Sequence, residues 1–127
     1  MVMAKILIVD DDAKELELYQ DILLSQGFDV LTAGNGEDGL KLAIDNLPDL
    51  ILLDVMMPKK DGGKVSQDLL RNDKTKNIPV IYLTSIITEE EVKAQHGRVS
   101  GRFIISKSSN RAELIQRIKE VLSAGGK

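Results

Sequence analysis

Cysteine is absent from the chain, which excludes disulfides and thiolate metal sites. Tryptophan is absent too, and with two Phe and two Tyr there is little on which nucleic-acid bases would stack. A single histidine, His96, stands in a polar segment with no partner visible in the sequence, which argues against a metal role for it. No apolar run approaches the length of a membrane span, and no basic-then-apolar leader opens the chain, so the expectation is a protein with no membrane contact, kept in the cytoplasm. Basic residues are not in excess: the formal charge is −3, which makes direct nucleic-acid binding a poor expectation. At 127 residues, 43% of them hydrophobic, the chain is the size of one domain, 1–127, with a core expected over about 4–123 and a frayed tail over 124–127.

What is there is a set of short apolar runs, each ending in a polar residue. The central one is Leu50-Ile51-Leu52-Leu53, without polar relief, which reads as a strand buried on both faces of a parallel sheet. Asp54 ends it, and a carboxylate at the mouth of a buried strand is costly unless something answers its charge. Lys5 to Val9 is an earlier β-branched run, stopped by Asp10-Asp11-Asp12. A helix is predicted over Ala13 to Ser25, with Leu16, Tyr19, Ile22 and Leu23 on its apolar face, Asp12 and Glu15 as a capping box, and Gly27 as its stop. Phe28 to Thr32 is a weaker second strand. Asn35-Gly36 opens a helix with Leu40, Ala43, Ile44 and Leu47 on one face, which Pro48 prevents from continuing.

After the central strand, Pro58 to Gly63 is turn chemistry leading to a helix through Val65, Leu69 and Leu70. Pro79 to Thr84 is a fourth strand, Thr88 starts a short acidic helix, and Arg102 to Ser106 is a fifth strand. A last helix, capped by Asn110 and Glu113, carries Leu114, Ile115, Ile118, Val121 and Leu122. Strand and helix therefore alternate five times, which predicts an α/β fold: a doubly wound, five-stranded parallel sheet with helices on both faces. In such sheets ligands bind beyond the carboxyl ends of the strands. The residues at those ends are Asp10 and Asp11, Asp54, Thr84 and Lys107.

Carboxylates gathered on one rim repel one another, and a hard, oxygen-seeking cation such as Mg²⁺ relieves that repulsion. A carboxylate is deprotonated at neutral pH and attacks a phosphoryl group without a general base, giving an aspartyl phosphate. The transfer then asks for positive charge and donors around the phosphoryl oxygens, which a metal, the Lys107 ammonium and the Thr84 hydroxyl supply. Asp54, single and on the central strand, is the expected nucleophile. Each residue alone has a plainer reading: Asp12 as a helix cap, Thr84 as a strand-end hydroxyl, Lys107 as a surface lysine. Their joint placement at four of five strand ends favours the chemistry.

On these residues the chain resembles the receiver domains of two-component response regulators. The matching positions are Asp10 and Asp11 after Ile6-Leu7-Ile8-Val9, Asp54 followed by Met57-Pro58 and Asp61-Gly62, Thr84, and Lys107. The resemblance implies a flavodoxin-like strand order, 2-1-3-4-5, in a three-layer sandwich. It implies Asp54 as phosphoacceptor, Mg²⁺ held by Asp11, Asp54 and the Met56 carbonyl with Asp10 acting largely through metal-bound water, and Thr84 and Lys107 holding the phosphoryl oxygens. The implied partners are a sensor histidine kinase or histidine phosphotransfer protein and an unnamed downstream protein, with homodimer formation on phosphorylation left open. Such a protein is not an enzyme acting on a separate substrate, since it catalyses only its own phosphorylation and dephosphorylation. The apolar Met56 and Ile86, two residues past Asp54 and Thr84, cannot orient an attacking water, which predicts slow self-dephosphorylation.

The chain departs from the family pattern at Ser108, where proline is usual, at Ile104, where an aromatic is frequent, at Gly63, where a large apolar residue is usual, and in lacking Gly-Ala before the fifth strand. These lie mostly where such domains signal onward. They leave open a second reading, a receiver-like module that docks partners without phosphorylation. A third, a haloacid-dehalogenase-type enzyme with Asp10 as nucleophile, needs a further acidic pair after a later strand, and none stands at a strand end between Thr84 and Lys107.

Overall fold

The computed structural model describes residues 4–54, 62–84, 98–99, 102–106 and 111–123. Strand β1, Lys5–Val9, leads to helix α1, Ala13–Ser25. The Asp12 side chain accepts hydrogen bonds from the Lys14 and Glu15 backbone amides, supplying acceptors to donors that the first helical turn leaves without intrahelical partners. At the other end Gly27 takes a positive φ of 86°, the Gly27 amide bonds to Leu24 O and the Phe28 amide to Leu23 O. That pair of bonds satisfies two terminal carbonyls and turns the chain into the next strand.

Strand β2, Asp29–Ala33, is shifted one residue from the expected Phe28 to Thr32. Helix α2, Gly36–Asn46, begins at Asn35, whose side-chain oxygen accepts from the Asp38 amide at 2.8 Å. It ends on Leu47, which has a left-handed backbone, φ 48° and ψ 62°. Leu47 was expected on the apolar face of the helix; in the structure it is 51% exposed, because the left-handed turn ahead of Pro48 carries it away from the sheet. Strand β3, Leu50–Asp54, is buried at every position. Helix α3, Gly62–Arg71, buries Val65 and Leu69, but Leu70, also expected inside, is exposed one position round from Leu69.

Strand β4, Val80–Thr84, and strand β6, Arg102–Ser106, complete five parallel strands in the order β2-β1-β3-β4-β6, the predicted order with β6 as the fifth. The structure adds a strand that the sequence reading did not expect: β5, Arg98–Val99, pairs antiparallel with β6 at the edge of the sheet. Helix α4, Arg111–Ser123, ends the described chain. The acidic helix expected from Thr88 lies outside the described residues.

Alternate residues of each strand face opposite layers, as a pleated sheet requires. Ile6, Ile8, Leu50, Leu52, Ile81, Leu83 and Ile105 pack with Tyr19, Ile22 and Leu23 of α1 and Leu114, Ile118 and Val121 of α4. Leu7, Val9, Ile51, Leu53, Tyr82 and Ile104 pack on the other face with Ala43 of α2 and Val65 and Leu69 of α3. The result is the expected three-layer sandwich. Ile104, at the position where an aromatic was weighed, is buried beside its register partner Tyr82. Among the described residues no helix is long and apolar enough to cross a membrane.

Candidate functional site

Register decides which side chains share the rim. Val9 pairs with Leu53, so Asp10 follows β1 at the level where Asp54 closes β3, and Asp54 in turn pairs with Leu83, the residue before Thr84. Thr84 is level with Ser106, the last residue before Lys107. The strand ends therefore bring Asp10, Asp54 and Thr84 to the carboxyl edge of three adjacent strands.

All three are buried: Asp10 is 0% exposed, Asp54 3% and Thr84 4%, with Ser106 at 2%. Asp10 is held at both ends, its amide donating to Ala33 O at 3.1 Å and its Oδ1 accepting from the Asp12 amide at 2.9 Å. This second bond draws the start of α1 over the end of β1. Asp11, between them, is exposed.

A third carboxylate joins the pair, and the sequence reading assigned it another task. One carboxylate oxygen each from Asp10, Glu15 and Asp54 lie within 4.8 Å of one another. The spacing of three residues from Asp12 predicts for Glu15 only the part of partner in a capping box. Its amide does donate to the Asp12 cap, but its carboxylate belongs to the acidic group at the rim. Asp11, assigned to the metal by resemblance, is not part of this group. Met56 and Lys107, also assigned to the site, lie outside the described residues.

Chemically the group offers only carboxylate oxygens, two of them on nearly inaccessible side chains. Such a set fits a hard divalent cation of the Mg²⁺ class and offers nothing to a soft metal. A buried negative charge is stabilised by an opposite charge close by.

Comparison with known proteins points to one family. The family model described as the response regulator receiver domain matches residues 6–119. The chain is 36% identical to the Protein PilH of Pseudomonas aeruginosa over 121 residues, covering 95% of this chain and 99% of that one. It is 38% identical to the phosphate regulon transcriptional regulatory protein PhoB of the same organism over 99% of its own length, but that match spans only 55% of PhoB. The chain thus spans about half the length of several of the curated relatives it matches, the CpxR transcriptional regulators among them at 50%. Among solved structures, the chemotaxis protein CheY4 of Vibrio cholerae superposes with a TM-score of 0.81 at 29% identity, covering 94% of this chain and 99% of that one. A sheet of this order, an acidic rim at its carboxyl edge and these matches lead to one conclusion: the chain belongs to the response regulator receiver domain family.

Proposed function

We propose that the chain is a phosphoacceptor switch: Asp54 takes a phosphoryl group from the phosphohistidine of a sensor kinase or phosphotransfer protein, and the modified domain presents an altered protein-binding surface. One observation carries this reading. Asp54 ends the fully buried central strand with the carboxylates of Asp10 and Glu15 beside it and Thr84 one register step beyond on the next strand.

In the transfer a carboxylate oxygen of Asp54 forms a bond to phosphorus as the phosphorus–nitrogen bond of the donor breaks, and the electron pair leaves with the imidazole. Asp10, Asp11 and Asp54, with the Met56 carbonyl, are the residues that would hold Mg²⁺, which supplies positive charge to the phosphoryl oxygens. Thr84 and Lys107 donate to those oxygens. Burial of Asp54 favours an acyl phosphate that water reaches slowly, in line with the apolar Met56 and Ile86, two residues past Asp54 and Thr84 in sequence. The output passes through a protein partner or a further domain, as the transcriptional regulators among the relatives suggest. The reaction modifies the chain itself and turns over no separate substrate.

Intact-mass spectrometry after incubation with acetyl phosphate tests the reading. The expected result is one added phosphoryl group in the parent that needs both Mg²⁺ and Asp54, and is lost in Asp54→Ala. No adduct in a parent chain that binds Mg²⁺ would replace it with the phosphorylation-independent docking module.

A further inference from the structure

Asp10, Asp11 and Asp54 are the carboxylates assigned to a receiver's cation above, so Glu15 calls for its own account. It stands in the first turn of α1, where the Asp12 cap fixes its amide at 3.3 Å from Asp12 Oδ1. From there its carboxylate reaches the same 4.8 Å group as Asp10 and Asp54. Carboxylates gathered this closely gain from a shared cation, and two of the three sit on residues that water hardly touches.

We infer that Glu15 is a further ligand of the divalent cation, adding its carboxylate to those of Asp10, Asp11 and Asp54 and giving a site that binds more tightly and tolerates larger cations than those three do alone. The inference rests on the cation-dependent reading of the site given above. Size is compatible: oxygens on opposite sides of Mg²⁺ lie about 4.2 Å apart and around Ca²⁺ about 5 Å, so a group spread over 4.8 Å closes on either with small side-chain adjustments. Charge favours the larger ion. Mg²⁺ gives up its water reluctantly and commonly keeps one or two carboxylates, whereas Ca²⁺ and Mn²⁺ accept more carboxylate oxygens.

Isothermal titration calorimetry with MgCl₂, MnCl₂ and CaCl₂ tests this on the unphosphorylated chain, comparing the parent with Glu15→Gln, Glu15→Asp and Asp54→Asn. Glu15→Gln keeps the shape and removes the charge. Glu15→Asp keeps the charge and withdraws the oxygens by one methylene. The expected result is that both Glu15 variants bind each cation about tenfold or more weakly, with the larger loss for Ca²⁺ and Mn²⁺, and that Asp54→Asn also loses affinity. Parent-like affinity in Glu15→Gln alongside a loss in Asp54→Asn overturns the role of Glu15 and leaves the cation site standing. Parent-like affinity in Glu15→Asp alone makes Glu15 a neighbouring charge and overturns ligation. A parent that binds none of the three cations, or an Asp54→Asn variant unchanged from it, removes the cation reading and this inference together.

Discussion

Gly39 of α2 lies against the side chain of Val9, so close that a Cβ at Gly39 would stand 2.7 Å from Val9 Cγ2 and 2.9 Å from Cγ1. Val9 is the last residue of β1, fully buried, and the next residue is Asp10. Because valine is branched at Cβ, its methyl groups cannot turn aside together. Gly39→Ala therefore overpacks the seam between α2 and the sheet. Overpacking of about 1–3 kcal/mol outweighs the helix-propensity gain of about 1 kcal/mol, so the net expectation is a loss of up to about 2 kcal/mol. Urea unfolding measures it. A second change, Val9→Ala, should make the cost of Gly39→Ala smaller than it is in the parent, and strict additivity of the two would show that they do not meet.

Asp12 is expected to be structural only. Its carboxylate caps α1, and Asp12→Ala should cost about 1 kcal/mol of stability while leaving the yield of aspartyl phosphate from acetyl phosphate intact. An adduct lost in Asp12→Ala at a temperature where the fold is intact would place Asp12 in the chemistry.

Thr75 is almost fully buried and its hydroxyl donates to Leu69 O at 2.6 Å, closing the end of α3. Thr75→Val keeps the volume and removes the donor. The buried carbonyl then loses its best partner, and a destabilisation of about 1–2 kcal/mol is expected from a shift of the urea midpoint at constant slope.

Thr84→Ala should slow adduct formation by about a hundredfold to a thousandfold, the usual effect of removing one donor to a developing negative charge. Thr84→Ser, which retains the hydroxyl, should recover most of the rate in the same mass-spectrometric time course. Equal rates for Ala and Ser would assign the loss to packing at this buried position instead.

Most of this architecture was legible because its signals are local. The run Lys5 to Val9 stops at three aspartates, and α1 has its cap at Asp12 and its stop at Gly27, so both ends carried chemistry of their own. Strand β2 was misplaced by one residue because Phe28 is apolar, yet its amide is committed to Leu23 O and its ring packs at the margin of the core. Strand β5 has two residues, Arg98 and Val99, too few for any period to show. Leu47 looked buried because helical spacing was extrapolated past the residue at which the backbone reverses hand.

The site was legible for a different reason. In a parallel sheet the strand ends gather on one side, so Asp10, Asp54 and Thr84 were found by reading the last residue of each run. Glu15 was not, because its part depends on how α1 lies across the rim. Spacing from Asp12 names a possible cap but cannot say where a side chain with three rotatable bonds points.

The antiparallel strand at the sheet edge has a consequence for how the chain finds its fold. Each parallel pairing joins segments separated by a crossover, and much chain entropy is lost before the first bond is made. Strands β5 and β6 are separated in sequence only by Ser100 and Gly101, so among the described strands theirs is the pairing with the least sequence separation. Hairpins form in microseconds, well ahead of long-range parallel contacts. Among the described strands, this edge pairing is therefore the one that costs the least chain entropy to form.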